Sequence, residues 1–432
     1  MLKFLLIFSI FLGYASAKVT CPSGFALVNN NKCLNMISDH YKHMEAELKC
    51  TGYGGTLVTI HNAIDNRGVA NFAGAAVAQY TWLGIFCFAN DTASCYSDDG
   101  SGPVTYTNFV PGHPKIDQGY GGCVYMQTYG PDKGKWFSGP CAVRGLAFVC
   151  EVPTTVEDPT CTHNYNGYCY YPSNEPPSEL SKESPISHFN SMCESANNGH
   201  LLSIHSRMEL DYIRSLYAGK KVSTIMLGAQ DDGKSGNFVW SDGSAFDYNN
   251  MNPADWKDTG KCLHMDVSDD RVDNGLWSRV NCTDYARDFV CKREIKDTVV
   301  SPKFKKLQKQ VSAKKSLPII NLADSSHCNQ TLFLAPGVVT SFDYLNKQAP
   351  PTFCTWNIAV LGAYRLGVYF TDFSLGDTLF IYDEFGKVLD DPHGTRAPYN
   401  VLAPTNMVKM THNAAFDAEW SYHGFSATIL PY

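Results

Sequence analysis

The sequence predicts a multidomain fold: two α+β domains in tandem, followed by an all-β sandwich. Three observations predict it. A set of phrases recurs in the same order at a period of about 140 residues, which is domain duplication and not a solenoid. "GGTLVTIHN" after Cys50 is answered by "NGHLLSIHS" after Cys193, "TWLGIF" by "IMLGAQ", and "FVC" closing at Cys150 by "FVC" closing at Cys291. The cysteines keep step: Cys21 and Cys33 open the first block as Cys161 and Cys169 open the second, and Cys123/Cys141 answers Cys262/Cys282. Beyond Cys328 the pattern changes to strand-like alternation without convincing helices.

The elements follow in order. "MLKFLLIFSIFLGYASA" has one basic residue, an apolar run and a small-residue site ending at Ala17, the form of a secretory signal peptide over 1–17. Its apolar run is shorter than a membrane span requires, and no later stretch has eighteen uninterrupted apolar residues. The expectation is a secreted, extracellular protein without a transmembrane segment. Export permits disulfides, and the even count of 16 cysteines fits complete pairing. A net charge of −7 over 432 residues argues against nucleic acid as the partner. Asn90, Asn281 and Asn329 each open an Asn-x-Thr glycosylation acceptor.

The first copy is expected over 18–151, a short linker over 152–160, and the second copy over 161–292. In "HSRMELDYIRSL", Met208, Tyr212 and Leu216 stand at i, i+4 and i+8, which predicts a helix with that stripe toward the core. "NFVWSDGS" reads as a short strand running into a glycine turn. Much of the rest is rich in Gly, Asn, Asp and Pro, so long loops need covalent staples, each contributing about 2–4 kcal/mol. The segment 293–326, with "SPKFKKLQKQVSAKKS", reads as a flexible basic linker; a tether for acidic glycans and a processing site are the alternatives. The last block, 327–432, alternates Tyr364, Leu366, Val368 and Phe370 on one face, with "LFIYD" and "FSATIL" as further strands.

These residues carry a resemblance. Both blocks resemble C-type lectin-like domains: the opening cysteine pair, the long-range pair, Trp-Leu-Gly-Ile and the nested second pair stand in that family's order. The resemblance implies the disulfides Cys21–Cys33, Cys50–Cys150, Cys123–Cys141, Cys161–Cys169, Cys193–Cys291 and Cys262–Cys282, with Cys87–Cys95 as an extra bridge in the first copy. The last block resembles a CUB domain, with Cys328–Cys354 as its one bridge; many CUB domains carry a second.

In sugar-binding members of the lectin family, one calcium ion joins protein and sugar. It is held by a Glu-Pro-Asn or Gln-Pro-Asp loop and a Trp-Asn-Asp strand. Calcium takes six to eight oxygen ligands. Here the first copy reads "VPGHPKID", with His113 and Lys115 at the two loop positions, and "GKWFSGPC", with Phe137 and Ser138 after Trp136. The second reads "NPADWKD", with Asp255, Trp256 and Lys257 at the loop, and "GLWSRVNC", with Ser278 and Arg279 after Trp277. Phe137 offers no oxygen, and an ammonium or guanidinium beside a divalent ion is repulsive. Calcium is therefore not expected at the usual site, and no other cofactor is implied. The two Trp residues read as apolar anchors under the strand. The loop lysines read as solvated charges or, in the sharper reading, as part of a metal-free surface for anionic glycans or a protein ligand.

Other motifs carry less. Asp266, Asp269, Asp270 and Asp273 lie close together without EF-hand spacing; a solvated acidic loop is the plainer reading and a second calcium position the sharper one. In the last block Asp377 matches one position of calcium-binding CUB domains, the preceding turn lacks the Glu, and the later position falls near Asn413, so calcium is not expected there. "GAQDDGKS" matches a phosphate-loop spelling, but Asp231 and Asp232 would repel phosphate and no helix follows. No catalytic signature appears, and an enzyme is not expected. The resemblance extends to secreted lectin-like proteins of nematodes and implies recognition of extracellular glycans or proteins, microbial surfaces among them, in innate defence. The alternative is a structural or adhesive matrix protein that uses its modules for protein contacts.

Overall fold

The computed structural model describes residues 18–431 except 77, 117–121, 142–144, 174–183, 197, 234–236, 253–258, 269–273, 296–325, 330–331, 343, 345–352, 363 and 414–421. The leader expected at 1–17 and most of the basic linker lie outside the described residues.

The first copy is closed by its own ends. The strand Lys32–Tyr41 pairs antiparallel with Leu146–Val152, which in turn runs parallel to Tyr80–Cys87. Two helices pack on this sheet, α1 (His43–Thr51) and α2 (Ala63–Ala75). Helix α2 starts where it does because the Asn62 side-chain oxygen accepts from the backbone N–H groups of Ile64 and Asp65, both at 2.9 Å, meeting two orphan donors of the first turn. Val69, Ala70 and Ala73 then turn one face into a core with Leu83, Val124, Met126 and Trp136.

The second copy repeats this plan. Tyr168–Pro172 pairs antiparallel with Val290–Glu294, and helices α3 (Phe189–Ser195) and α4 (Arg207–Ser215) take the places of α1 and α2. The Ser206 hydroxyl caps α4 by accepting from Glu209 N at 3.1 Å. Of the stripe expected on α4, Tyr212 and Leu216 pack against the core. Leu210, Ile213 and Tyr217 fill the core, while Tyr212 is only partly buried. Its ring stacks on Tyr165 at 4.1 Å and meets the first copy at Gly54, so this position serves the contact between copies. The segment expected as a plain linker is also engaged, for Thr155–Val156 pairs with Val19–Thr20.

The third module contains two five-stranded sheets among the described residues. One includes Phe353–Ala359, Met407–Asn413 and Phe380–Asp383; the other includes Gly337–Thr340, Gly424–Pro431 and Leu366–Leu375. Trp356, Val368, Phe370, Phe373, Ile381 and Phe425 fill the core they share.

Eight disulfides staple the three modules: Cys21–Cys33, Cys50–Cys150, Cys87–Cys95 and Cys123–Cys141 in the first, Cys161–Cys169, Cys193–Cys291 and Cys262–Cys282 in the second, Cys328–Cys354 in the third. Cys50–Cys150 and Cys193–Cys291 each join the first helix of a copy to its closing strand. Closing loops of about 100 residues, they restrict the unfolded chain most.

Candidate functional site

Each long loop is anchored to the strand that carries the tryptophan. In the first copy, Trp136 N donates to Asn108 O at 3.0 Å and Val110 N to Trp136 O at 3.1 Å. In the second, Trp277 N donates to Asn250 O at 2.9 Å and Asn252 N to Trp277 O at 2.7 Å. Both indoles are fully buried. They differ at the ring nitrogen. Trp136 Nε1 donates to Asn66 Oδ1 at 2.7 Å, whereas Trp277 Nε1 has no hydrogen-bond partner among the described residues. The second copy carries Leu210 where the first has Asn66, one residue after the acid of the "IHNAID" and "IHSRME" phrases.

Beyond Trp136 the strand is tied to the loop by direct hydrogen bonds. The Ser138 hydroxyl accepts from Lys115 N at 2.6 Å and lies 3.2 Å from Lys115 O. Ser138 N donates to His113 Nδ1 at 3.0 Å. A backbone N–H can only donate, so Nδ1 is the bare nitrogen and the ring proton sits on Nε2. Burial lowers the His113 pKa, and the charge of Lys115 lowers it further, so the ring is neutral at physiological pH. Ser138 is 2 % exposed. Phe137 points to the other face of the strand, half-buried, stacked on Tyr125 at 5.5 Å and edge-on to His113 at 5.5 Å. Lys115 is exposed.

This donor set does not fit calcium. The positions hold an imidazole nitrogen, an ammonium, a phenyl ring and a hydroxyl already engaged with the loop, in place of several carboxylate or amide oxygens.

In the second copy Ser278 lies opposite His264 and Arg279 opposite Leu263 on the neighbouring strand. The Arg279 guanidinium covers the Phe238 ring at 4.8 Å and reaches Gly260 O at 3.5 Å. Neither residue adds a carboxylate. Asp255, Trp256 and Lys257 lie outside the described residues, as do Asp269, Asp270 and Asp273. Asp266 is described, and its carboxylate accepts from Ser268 N at 2.8 Å as a turn brace. In the third module Asp377 braces Thr378 N in the same manner at 2.7 Å, and Asn413 ends its strand opposite Phe353.

The three acceptor asparagines are all placed. Asn90 accepts from Ile116 N, next to the loop of the first copy. Asn281 is exposed and follows the strand of Arg279. Asn329 is exposed, donating to Phe353 O at 3.1 Å and accepting from Thr355 N at 3.0 Å.

Sequence reasoning missed two ion pairs, one buried and one partly buried. Lys32 Nζ lies 2.6 Å from Glu151 Oε1, and Lys292 Nζ lies 2.6 Å from Glu209 Oε1. The available signal was a charge beside a structural cysteine: Lys32-Cys33, Cys150-Glu151 and Cys291-Lys292.

Two α+β copies, each closed by its terminal strands and carrying a long loop against a tryptophan strand, define a tandem of lectin C-type domains. The model of the family described as "Lectin C-type domain" matches residues 39–152 and 182–293, more than half of the chain, and the chain belongs to this family. It is similar to C-type lectin domain-containing protein 38 of Caenorhabditis elegans, 33% identical over 283 residues, 65% of this chain and 69% of that protein. It is also similar to the low affinity immunoglobulin epsilon Fc receptor of Mus musculus, 38% identical over 98 residues, 22% of this chain and 27% of the receptor. Among solved structures, the cow C-type carbohydrate-recognition domain of CD23 aligns at 24% identity and a TM-score of 0.26, covering 31% of this chain and 93% of that one. Lectin domains bind glycans or proteins, and recognition is the role this family membership assigns. Among the described residues no helix is long and apolar enough to cross a membrane.

Proposed function

We propose that the chain is a secreted recognition protein that binds extracellular carbohydrate or protein ligands through the long-loop faces of its two lectin domains, without calcium at the usual sugar position. The observation that carries this reading is the direct seam in the first copy. The Ser138 hydroxyl and the His113 ring join loop to strand where, in sugar-binding relatives, a shared ion does so. Phe137, Tyr125, His113 and Lys115 then offer aromatic faces and a positive charge, a combination that suits an anionic or aromatic-stacking ligand. In the second copy Arg279, with Asp255, Trp256, Lys257 and Ser278, is the corresponding candidate set. The third module, two sheets around one core with a single disulfide, is read as CUB-like. Recognition of microbial surfaces in innate defence is the form of this role that the resemblance implies.

A glycan array probed with and without a calcium chelator tests the reading. Binding that survives chelation supports it, and binding abolished by chelation overturns the metal-free part. An array with no bound glycan moves the ligand to protein, as an adhesive matrix role would require.

A further inference from the structure

One turn of the third module, the one that carries Gly362 and Tyr364, touches both lectin domains; apart from it, Tyr369 and Leu430 pack with Leu276 of the second copy. On the second copy, the Tyr364 hydroxyl donates to Asp211 and the Arg207 guanidinium covers the Tyr364 ring at 3.9 Å. Asp211 also receives Arg207 and Arg214, at 3.4 and 3.0 Å. On the first copy, Gly362 N approaches Asp98 Oδ1 at 3.4 Å, and a Cβ on Gly362 would lie 3.5 Å from Glu47 Oε1.

The two halves of this junction differ in charge balance. Asp211 has two guanidinium partners. The Asp98 side chain is 3 % exposed, and among the described residues its Oδ1 receives only the long contact from Gly362 and its Oδ2 has no hydrogen-bond partner. Glu47 is 1% exposed, and Thr56 and Leu57 donate to it. The neighbouring titratable groups do not neutralise the pair. His43 Nε2 is 3.8 Å from Asp98, but it is engaged with the Leu83 carbonyl at 3.0 Å, and burial holds its pKa down at about 4, so it is neutral. Asp99 is a further acid, 3.6 Å from His61. Arg365, beside Tyr364, is exposed.

We propose that this turn is a proton-linked latch: it closes over the Asp98–Glu47 pair when the pair holds a proton and releases when both carboxyls are ionised. A buried carboxylate without a cation costs several kcal/mol, and hydration on opening removes that cost. In agreement, burial pushes Asp98 up to about 7, and burial followed by the charge of Asp98 pushes Glu47 up. The sign follows from linkage. The closed state binds more protons, so closure is fully favoured below the ordinary Asp value of 3.8 and is lost as pH rises through about 7. One linked proton weakens closure about tenfold per pH unit in that window. His43 does not oppose this, because Leu83 and Trp82 of its own module cover it whether the latch is open or closed.

Small-angle scattering and amide exchange at Gly362 on the full secreted chain, at about pH 5 and about pH 8, test the latch. The wild type is expected to be compact and protected at the lower pH, and larger with an exchanging Gly362 amide at the higher one. Asp98→Asn/Glu47→Gln is expected to stay closed at both. Tyr364→Phe is expected to weaken closure at both while keeping the pH slope. Should the double variant fail to fold, Gly362→Ala, which is strained at the positive φ of this turn and tight against Tyr364, is expected to distort the turn and be open at both. A wild type with the same dimensions and exchange at both pH values overturns the proposal. So does a slope that survives in the double variant, or a Gly362→Ala chain that still closes with the wild-type slope.

Discussion

Lys292 and Glu209 form an ion pair at 2.6 Å between the closing strand and α4, with side chains only 4% and 6% exposed, and the first copy has a different pair, between its opening and closing strands. There the acid, Glu151, follows the closing cysteine, and the lysine, Lys32, precedes the opening one. In the second copy the closing strand carries the lysine, Tyr168 replaces Lys32, and the Lys292 ammonium lies 4.3 Å over the Tyr168 ring. Each copy thus keeps one buried cation beside one carboxylate by a different choice of residues.

Removing one partner is therefore expected to cost more than removing both. Lys292→Met leaves Glu209 with Tyr170 and His205 N as donors but no cation, and is expected to lose about 3–5 kcal/mol. Adding Glu209→Gln is expected to restore much of that loss. Urea unfolding of the wild type, both single variants and the double variant gives the coupling energy.

The tryptophan pair supplies an asymmetric prediction. Trp136→Phe removes a donor to buried Asn66 and leaves its oxygen unpaired, costing about 1–3 kcal/mol beyond lost packing. Trp277→Phe removes an N–H that has no acceptor among the described residues, so it is expected to cost only the change in packing. Thermal denaturation of the two variants should rank Trp136→Phe as the more damaging.

Ser138→Ala is expected to loosen the first long loop without unfolding the domain. It leaves the part-buried Lys115 N–H without its acceptor, a penalty of about 1 kcal/mol. Hydrogen exchange should accelerate at 113–116 and remain unchanged in α2. Calcium added to either protein is expected to leave exchange and melting temperature unchanged, and a calcium-dependent rise in melting temperature would count against the metal-free reading.

The same loop has a pH dependence set by His113. Its folded pKa is depressed below the ordinary imidazole value of 6.5, so its contribution is present above that value and lost as pH falls through the folded one. Protonating Nδ1 abolishes the bond from Ser138 N. Imidazole chemical shifts followed through acidification should titrate below the normal range, with the Ser138 amide shifting in step.

Much of the frame was legible because duplication writes it twice. The recurring phrases around Cys50 and Cys193 became equivalent helix-to-strand connections, and both Trp residues became buried anchors on equivalent strands. The helix of "HSRMELDYIRSL" was legible from its period, and Tyr212 and Leu216 of its expected stripe pack against the core, but the residues that fill that core, Leu210, Ile213 and Tyr217, were not read from it. Tyr212 belongs to a contact with another module, and periodicity carries no information about a neighbour far away in sequence. The ion pairs were illegible for a related reason. A lysine beside a cysteine is ordinarily solvated, and only the fold brings Lys292 to Glu209. At the candidate site, residue types alone argued against calcium. The Ser138–Lys115–His113 seam needed coordinates, because a hydroxyl has no sequence signature for the backbone group it will meet.

Gly54 gives the tandem a polarity. The Tyr165 hydroxyl donates to Gly54 O at 2.6 Å, and a Cβ on Gly54 would stand 2.6 Å from Tyr212 Cβ. The contact is head to tail: the first copy offers the turn after α1, and the second offers α4 and its opening hairpin. Head-to-tail contacts can in principle propagate into longer arrays. Where the first copy has Gly54 before Gly55, the second has Asn198 before Gly199, so the corresponding turn carries a side chain. A third lectin domain could not seat its tyrosines there in the same way.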